Sequence, residues 1–505
     1  MDFVEWEVMG GESCDDCSTC IRSEFTFAKA YPDTVDQIFA KHWSTWFTQD
    51  HVNQLKAYGI NTARVPVSFS VVSRSFRAVI LIISGQLGYW IVEALVDRNN
   101  EYYPRGGIKF LSNGVKMLRD AGIQVILDHH ALPGVQTPNQ MFAGNCTTNV
   151  QFYTPYNYGR ALTWTAVMTA IAHLHPNFAS VFAIEAVNEP IMDAGQTPNY
   201  GEFQKNFVKT VRAIELLLGI PVPGHQLDLP AAQISLDLTS AVSKTTGLFN
   251  AEVAQALSAA LPILLSMEAE LGLSDILDIG KAKGRGGRWT ALTTSFMDIN
   301  WQYDNPANPA DAAIGPQGYD NHLYYNYGPT PNSNAYMASI CSMCFSSHRT
   351  HPFGTYKHIA DLTQDDVALG NSPLWFGEWA ITTNFDATDA FLKDWGDAQK
   401  LAYSKGAGWI WWNFRVEQSE LAGDLGRQWY ATDVYTMNLR AYQFNSLRPQ
   451  RLREISYANQ YIHFSWNVKH QLVSSTVDLR VNCVLCIVSF GQHIQDIICK
   501  VYGYQ

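Results

Sequence analysis

At 505 residues the chain far exceeds the ~100–200 residues of an average domain, leaving two or three ordinary domains or one large barrel with insertions. Hydrophobic residues at 47% and charged residues at 16% exclude wholesale disorder, and Lys+Arg 35 against Asp+Glu 46, a net charge of −11, argues against a nucleic-acid-binding footprint. With 15 Trp and 24 Tyr the composition suits a polar, uncharged ligand such as a sugar and, equally, an aromatic core.

The opening, MDFVEWEVMGGESCDD, has neither a basic segment nor an apolar run, so no signal peptide is visible, and residues 4–9 read as a short first strand. Further strand candidates follow at 59–66 (GINTARVP), 123–129 (IQVILDH), 181–187 (VFAIEAV), 295–299, 319–324, 374–379 (LWFGEW) and 408–414 (GWIWWNF). Helical patterns at 49–58, 107–121, 156–173, 201–218 and 387–405 alternate with them. Each strand run is almost continuously apolar, as a parallel sheet buried on both faces requires. Eight such units close into a (β/α)8 TIM barrel; a doubly wound open sheet is second, since no Gly-rich phosphate loop follows any strand. The apolar stretch 78–92 carries Ser84, Gly85 and Gln86 and falls short of the ~20 residues of a membrane span.

Two stretches break the alternation. Residues 220–288, rich in Ala, Leu and Ser, read as a helical insertion over one barrel rim. The pattern dissolves after about 434, so the catalytic domain is expected at 1–434 and an irregular tail at 435–505.

Polar residues gather at the C-terminal ends of the strand runs, which share one rim in a parallel barrel. VFAIEAVNEP ends in Asn188, Glu189 and Pro190, and LWFGEWA carries Glu378. Two carboxylates delivered to one pocket suit glycosidic bond cleavage: one protonated to serve the leaving oxygen, the other ionised to attack or to activate water. Taken singly, each is more often a surface glutamate at a strand end.

These residues resemble glycoside hydrolase family 5, and within it the chain is most similar to fungal exo-β-1,3-glucanases. The resemblance is carried by AVNEP and FGEW, by HWSTWFTQDHVNQLKAYGINTARVP (42–66), ILDHHALPGVQ (126–136), DNHLYY (320–325) and GWIWWNFRVE (408–417), in family order over most of residues 40–430. It implies that Glu189 is the acid/base and Glu378 the nucleophile of a retaining mechanism, with carboxyl groups about 5–5.5 Å apart. It further implies that Asn188 meets the sugar 2-hydroxyl and that Arg64 sits beside Glu378 and keeps it ionised. His130, rather than His129, matches the family's Asp-x-His position; His322 contacts substrate or the acid, Tyr324 hydrogen-bonds the nucleophile, and Trp412 floors the −1 sugar site. No metal and no cofactor are implied.

Cys14, Cys17 and Cys20 form C-x2-C-x2-C, and Cys341 and Cys344 form C-x2-C; nearby His ligands are lacking, so disulfides are favoured over a metal. Nine cysteines leave at least one unpaired within the chain. Asn145-Cys146-Thr147 permits glycosylation.

The chain departs from the family after Pro66, where an apolar residue and Gly-Tyr-Trp should follow. Leu87-Gly88-Tyr89-Trp90 supplies them only after 67–86 (VSFSVVSRSFRAVILIISGQ), a block whose first codon, for Val, begins with GT and whose last, for Gln, admits an AG end, the boundary dinucleotides of an intron. It reads as a retained intron in the gene; 342–364 and the tail are weaker suspects, and the N-terminus reads as incomplete. The expected activity is exo-hydrolysis of β-1,3-glucan, with β-1,6-glucan or another β-glucoside as the near alternative and an inactive carbohydrate-binding barrel as the alternative from another class. The expected partner is a β-glucan polysaccharide or oligosaccharide, with no nucleic acid and no membrane, and the chain is expected to act as a monomer. Family resemblance implies an extracellular or cell-wall destination.

Overall fold

The computed structural model describes residues 6–12, 14, 16–66, 88–223, 237–298, 314–327, 333, 336, 370–403, 406–412, 414 and 428. The block at 67–86, the segment 342–364, Cys341, Cys344 and the tail after 434 lie outside the described residues. The chain divides into two units, Met1–Asn459 and Gln460–Gln505, and every described residue falls in the first.

Six strands form one parallel sheet in chain order: β1 (Thr62–Val65), β2 (Gln124–Asp128), β3 (Val181–Glu185), β4 (Thr293–Met297), β5 (Gln317–Leu323) and β6 (Leu374–Trp379). Every neighbouring pair is parallel. The run beginning at Gly408 continues the barrel beside β6: Phe376 N–H donates to Gly408, Ile410 N–H to Phe376 and Trp412 N–H to Trp379. This is a nearly closed α/β barrel of the TIM type. Inside it Ile126, Phe182, Ala183 and Trp375 make a small core of their own. Gly318 leaves the space that the Trp375 ring fills, since a Cβ there would collide with the indole.

The helices between strands match the 3.6-residue pattern to within two residues: α4 (Gln49–Ala57), α5 (Gly107–Asp120), α6 (Pro155–Leu174), α7 (Tyr200–Leu217) and α11 (Asp389–Tyr403). Helix α6 starts where Thr154 caps Asn157 N–H and Pro155 presets the first turn. It is buried on nearly every side, which an apolar sequence all round the helix requires. The reason is the insertion, whose described part forms α8 (Leu238–Thr245), α9 (Ala251–Leu271) and α10 (Ile279–Gly284). Helix α9 lies against α6, α7 and α5, and His175 Nε2 is 3.1 Å from the Leu271 carbonyl oxygen. The insertion leaves α7 and enters β4 at the N-terminal ends of the strands, so it thickens the helical layer instead of roofing the catalytic rim.

Of the first strand expected at 4–9, the described residues are not a strand. Trp6–Met9 is a short helix, α1, with the Trp6 indole buried and its N–H donating to the Ile21 carbonyl at 2.7 Å. Burying that ring against Phe27, Phe39 and Trp43 outweighs the strand pattern. Helices α2 (Glu24–Ala30) and α3 (Val35–Trp46) complete this N-terminal cluster. Two disulfides, Cys14–Cys20 and Cys17–Cys146, bear out disulfides over a metal for these cysteines, and the second ties the cluster to the loop after β2. Among the described residues no helix is long and apolar enough to cross a membrane.

Candidate active site

The strand ends converge on one guanidinium. Arg64, near the end of β1, is buried, and its donors fan out to four other strands or the loops that follow them. Nε donates to Glu185 at 2.9 Å, one terminal nitrogen to Glu378 at 2.8 Å, and the other to Asn188 at 2.7 Å. That last nitrogen is also 3.0 Å from Asp128 Oδ2, and Nε is 3.4 Å from Asp320. A planar, permanently charged fork suits such a hub, because each carboxylate fixes it from a different direction.

Glu378 comes from β6 and Glu189 from the loop after β3. His322, near the end of β5, stands between them, with Nδ1 2.6 Å from Glu189 Oε1 and 3.5 Å from Glu378 Oε2. One ligand atom from each of the three lies within 4.8 Å of the others. The Tyr324 hydroxyl donates to Glu378 Oε2 at 2.8 Å. A register shift between Asn321 and His322 brings His322 opposite Glu378, a local re-aiming that such irregularities provide beside active sites. Glu189 holds a φ of 39°, a conformation costly for a residue with a Cβ, and the side chain so aimed keeps 18% of its surface in solvent against 5% for Glu378.

The expected wall of the sugar site assembles as well. His130 stacks on Trp412 with ring centroids 5.8 Å apart and planes 7° from parallel. His129 points the other way, flat on Trp164 at 3.9 Å, and belongs to the outer core. Gln136 donates to the carbonyls of His130 and Asn188, and the Tyr153 hydroxyl bridges Gln136 O and Ile191 N–H, so the loops after β2 and β3 hold each other. Asn188 Oδ1 accepts from Arg64, while its Nδ2 is buried without a partner among the described residues. An orphaned buried donor beside two carboxylates is what a sugar hydroxyl would satisfy.

All eight residues singled out in the sequence therefore meet in one cluster: Arg64, His130, Asn188, Glu189, His322, Tyr324, Glu378 and Trp412. Their neighbours Asp128, Glu185 and Asp320 did not announce themselves. The available signal was a lone carboxylate inside each of three apolar strand runs, ILDH, FAIE and GYDNH, with Arg64 as the matching cation. Asp320 Oδ1 accepts the Gly377 N–H at 2.5 Å, and a Cβ on Gly377 would strike that carboxylate, so the residue before Glu378 must be glycine.

Two cations facing five carboxyl groups cannot keep all of them ionised. Burial pushes Asp128 up to about 7 despite the pull of Arg64, and Glu185 to about 8 against the same cation. Burial likewise raises Glu378 to about 7, although His322 and Arg64 draw it down. Arg64 thus sits where expected, but its charge does not return Glu378 to the ordinary carboxylate range. Burial opposes a charge on His322, yet Glu378, Asp320 and Glu189 around it raise it well above the usual imidazole value. Burial and the neighbouring Arg64 hold His130 well below that value, hence neutral.

Comparison with known proteins agrees with this geometry. Residues 29–418 match the family model described as Cellulase (glycosyl hydrolase family 5). The chain is 26% identical over 411 residues, 81% of its length and 76% of the relative's, to a protein of Neosartorya fischeri named "Probable glucan endo-1,6-beta-glucosidase B". It is 37% identical over 222 residues, 44% of its length and 48% of the relative's, to the "Glucan endo-1,6-beta-glucosidase B" of Emericella nidulans. A "Probable glucan 1,3-beta-glucosidase A" of Aspergillus fumigatus is 29% identical over 165 residues, 32% of this chain and 33% of that one. With a family model spanning most of its length laid over a barrel that gathers these residues, the chain belongs to glycosyl hydrolase family 5 and is a glycosidase.

Proposed function

We propose that the protein hydrolyses β-glucan with retention of configuration, Glu189 serving as acid/base and Glu378 as nucleophile. The observation that carries the reading is the spacing of the two carboxylates, with one oxygen of each inside a group of atoms no more than 4.8 Å apart. Retaining enzymes hold the pair about 5–5.5 Å apart, whereas inverting ones need about 6.5–9.5 Å to admit a water. Glu189 gives its proton to the glycosidic oxygen as Glu378 attacks the anomeric carbon, the C–O bond breaks and a glycosyl ester forms. Glu189, now ionised, takes a proton from water, which displaces Glu378 from the same carbon. Asn188 Nδ2 donates to the sugar 2-hydroxyl, and Trp412 and His130 offer ring faces to the sugar.

For linkage we favour β-1,6-glucan, because the relative matched over most of both chains carries that name. Exo-hydrolysis of β-1,3-glucan is the second reading, supported by the strand-end motifs and by the shorter match to a 1,3-glucosidase. An inactive sugar-binding barrel is disfavoured by the intact pair of carboxylates and their donors. Action outside the cell or in its wall accords with the two disulfides, and a monomer would suffice, since the cluster is built from one chain. Hydrolysis of pustulan, laminarin and cellohexaose with product sizing tests the linkage; glucose alone from laminarin supports the second reading. Glu378→Gln should cost at least about 10⁴-fold in kcat while sparing sugar binding, and substantial residual turnover would mean another nucleophile.

A further inference from the structure

We infer that Asp128 is a positioning residue that locks the sugar-facing imidazole of His130 to the Arg64 hub through a single carboxylate oxygen. The inference deepens the hydrolase reading and rests on it. Asp128 Oδ2 is 2.6 Å from His130 Nδ1 and 3.0 Å from the Arg64 nitrogen that also holds Asn188. The carboxyl group is fully buried at the last position of β2, in register with Glu185 on β3. Among the described residues its other oxygen, Oδ1, has no partner, so the carboxyl group makes one hydrogen bond, with His130, and one close ion pair, with Arg64, both inside the site.

The geometry gives those two contacts a specific consequence. An imidazole can turn about its Cβ–Cγ bond unless one nitrogen is tied down. Asp128 takes Nδ1, which sets the ring 7° from parallel with Trp412 and leaves Nε2 as the nitrogen open to a sugar hydroxyl. Because the same oxygen braces Arg64, the ring is registered against Asn188 and Glu378, the residues that meet the anomeric end of the sugar. Orientation of a binding histidine by a buried carboxylate follows the logic of second-layer groups elsewhere: positioning within a fraction of an ångström determines how well the transition state is held.

The test uses the full chain and a panel of aryl β-glucosides, each lacking one hydroxyl, with Asp128→Asn, Asp128→Ala, His130→Ala and the double variant Asp128→Ala/His130→Ala. Active molecules are counted by titration with a mechanism-based fluoroglucoside, so partial unfolding does not enter kcat. One hydroxyl should matter strongly to the parent protein and little to His130→Ala. Asp128→Ala should lose discrimination at that same hydroxyl, with kcat/KM falling about 100-fold, and Asp128→Asn, which keeps an acceptor oxygen, should recover at least about tenfold. The double variant should fall at least about fivefold less than the product of the single losses. If discrimination survives in Asp128→Ala, or the losses multiply, the inference is overturned. If Asp128→Ala does not fold, Asp128→Ser, whose hydroxyl is too short to reach Nδ1, and the double variant Asp128→Ser/His130→Ala take its place, and discrimination that survives in Asp128→Ser or losses that multiply overturn the inference equally. Failure of the parent chain to hydrolyse any β-glucan would instead sink the hydrolase reading, a result distinct from all of these.

Discussion

Replacing Tyr324 by Phe removes one atom from the site and should shift when Glu378 can attack. The hydroxyl donates to Glu378 Oε2 at 2.8 Å, while Oε1 keeps its bond to Arg64. A hydrogen bond to a charged acceptor contributes about 1.5–3 kcal/mol. His322 Nδ1, 3.5 Å from the same oxygen, recovers part of that, leaving a net loss of about 1.4 kcal/mol, one pKa unit. Glu378 already stands at about 7 through burial, so the variant should titrate near ~8. The nucleophile reacts only when ionised, so kcat/KM rises with pH through its pKa, and destabilising the anion moves that acidic limb upward. An aryl β-glucoside with a good leaving group, which needs little help from the acid, isolates the limb between about pH 4 and 9. The limb should move up by about one unit, making the loss near pH 5.5 about tenfold larger than the loss on the plateau. An equal loss at every pH, or a limb that moves down, would refute the assignment of Glu378 and the role given to Tyr324.

The buried acids also tie stability to pH. Glu185 titrates at about 8 in the fold, against an ordinary 4.5, because burial disfavours its anion. Its contribution is therefore fully present below the unfolded value and is lost as pH rises through about 8. Between pH 6.5 and 8.5 this amounts to about 2 kcal/mol, and Glu185→Gln should flatten that part of the thermal stability profile; an unchanged slope would show that Glu185 is ionised in the fold. Cys17→Ser opens the link to Cys146, which closes a loop of sequence separation 129. A loss of about 2–4 kcal/mol is expected, read as a lower unfolding midpoint by calorimetry, and an unshifted midpoint would mean that the N-terminal cluster is not held by this bond.

Strands buried on both faces write nearly unbroken apolar runs, so β1, β2, β3 and β6 were legible, and so were the polar residues that end them. Asn188-Glu189 and Glu378 stood out for that reason, and the family motifs around them brought in Arg64, His130, His322, Tyr324 and Trp412. The N-terminal run was misread because period alone cannot tell a short strand from a single helical turn. What decided it was the tertiary burial of Trp6 against Phe27, Phe39 and Trp43. The insertion was recognised as helical, but its side of the barrel follows from where α7 ends and β4 begins.

Local sequence by itself determined the barrel, its rim and the pair of glutamates, because periodicity and strand-end position are properties of neighbouring residues. Only the tertiary structure decided that Asp128, Glu185 and Asp320 join Glu378 around Arg64, an ion cluster drawn from segments up to 314 residues apart. Only the tertiary structure, too, set the protonation of Glu378. Both depend on how much water the closed barrel removes and how many charges it brings within a few ångströms, quantities that no stretch of chain carries alone.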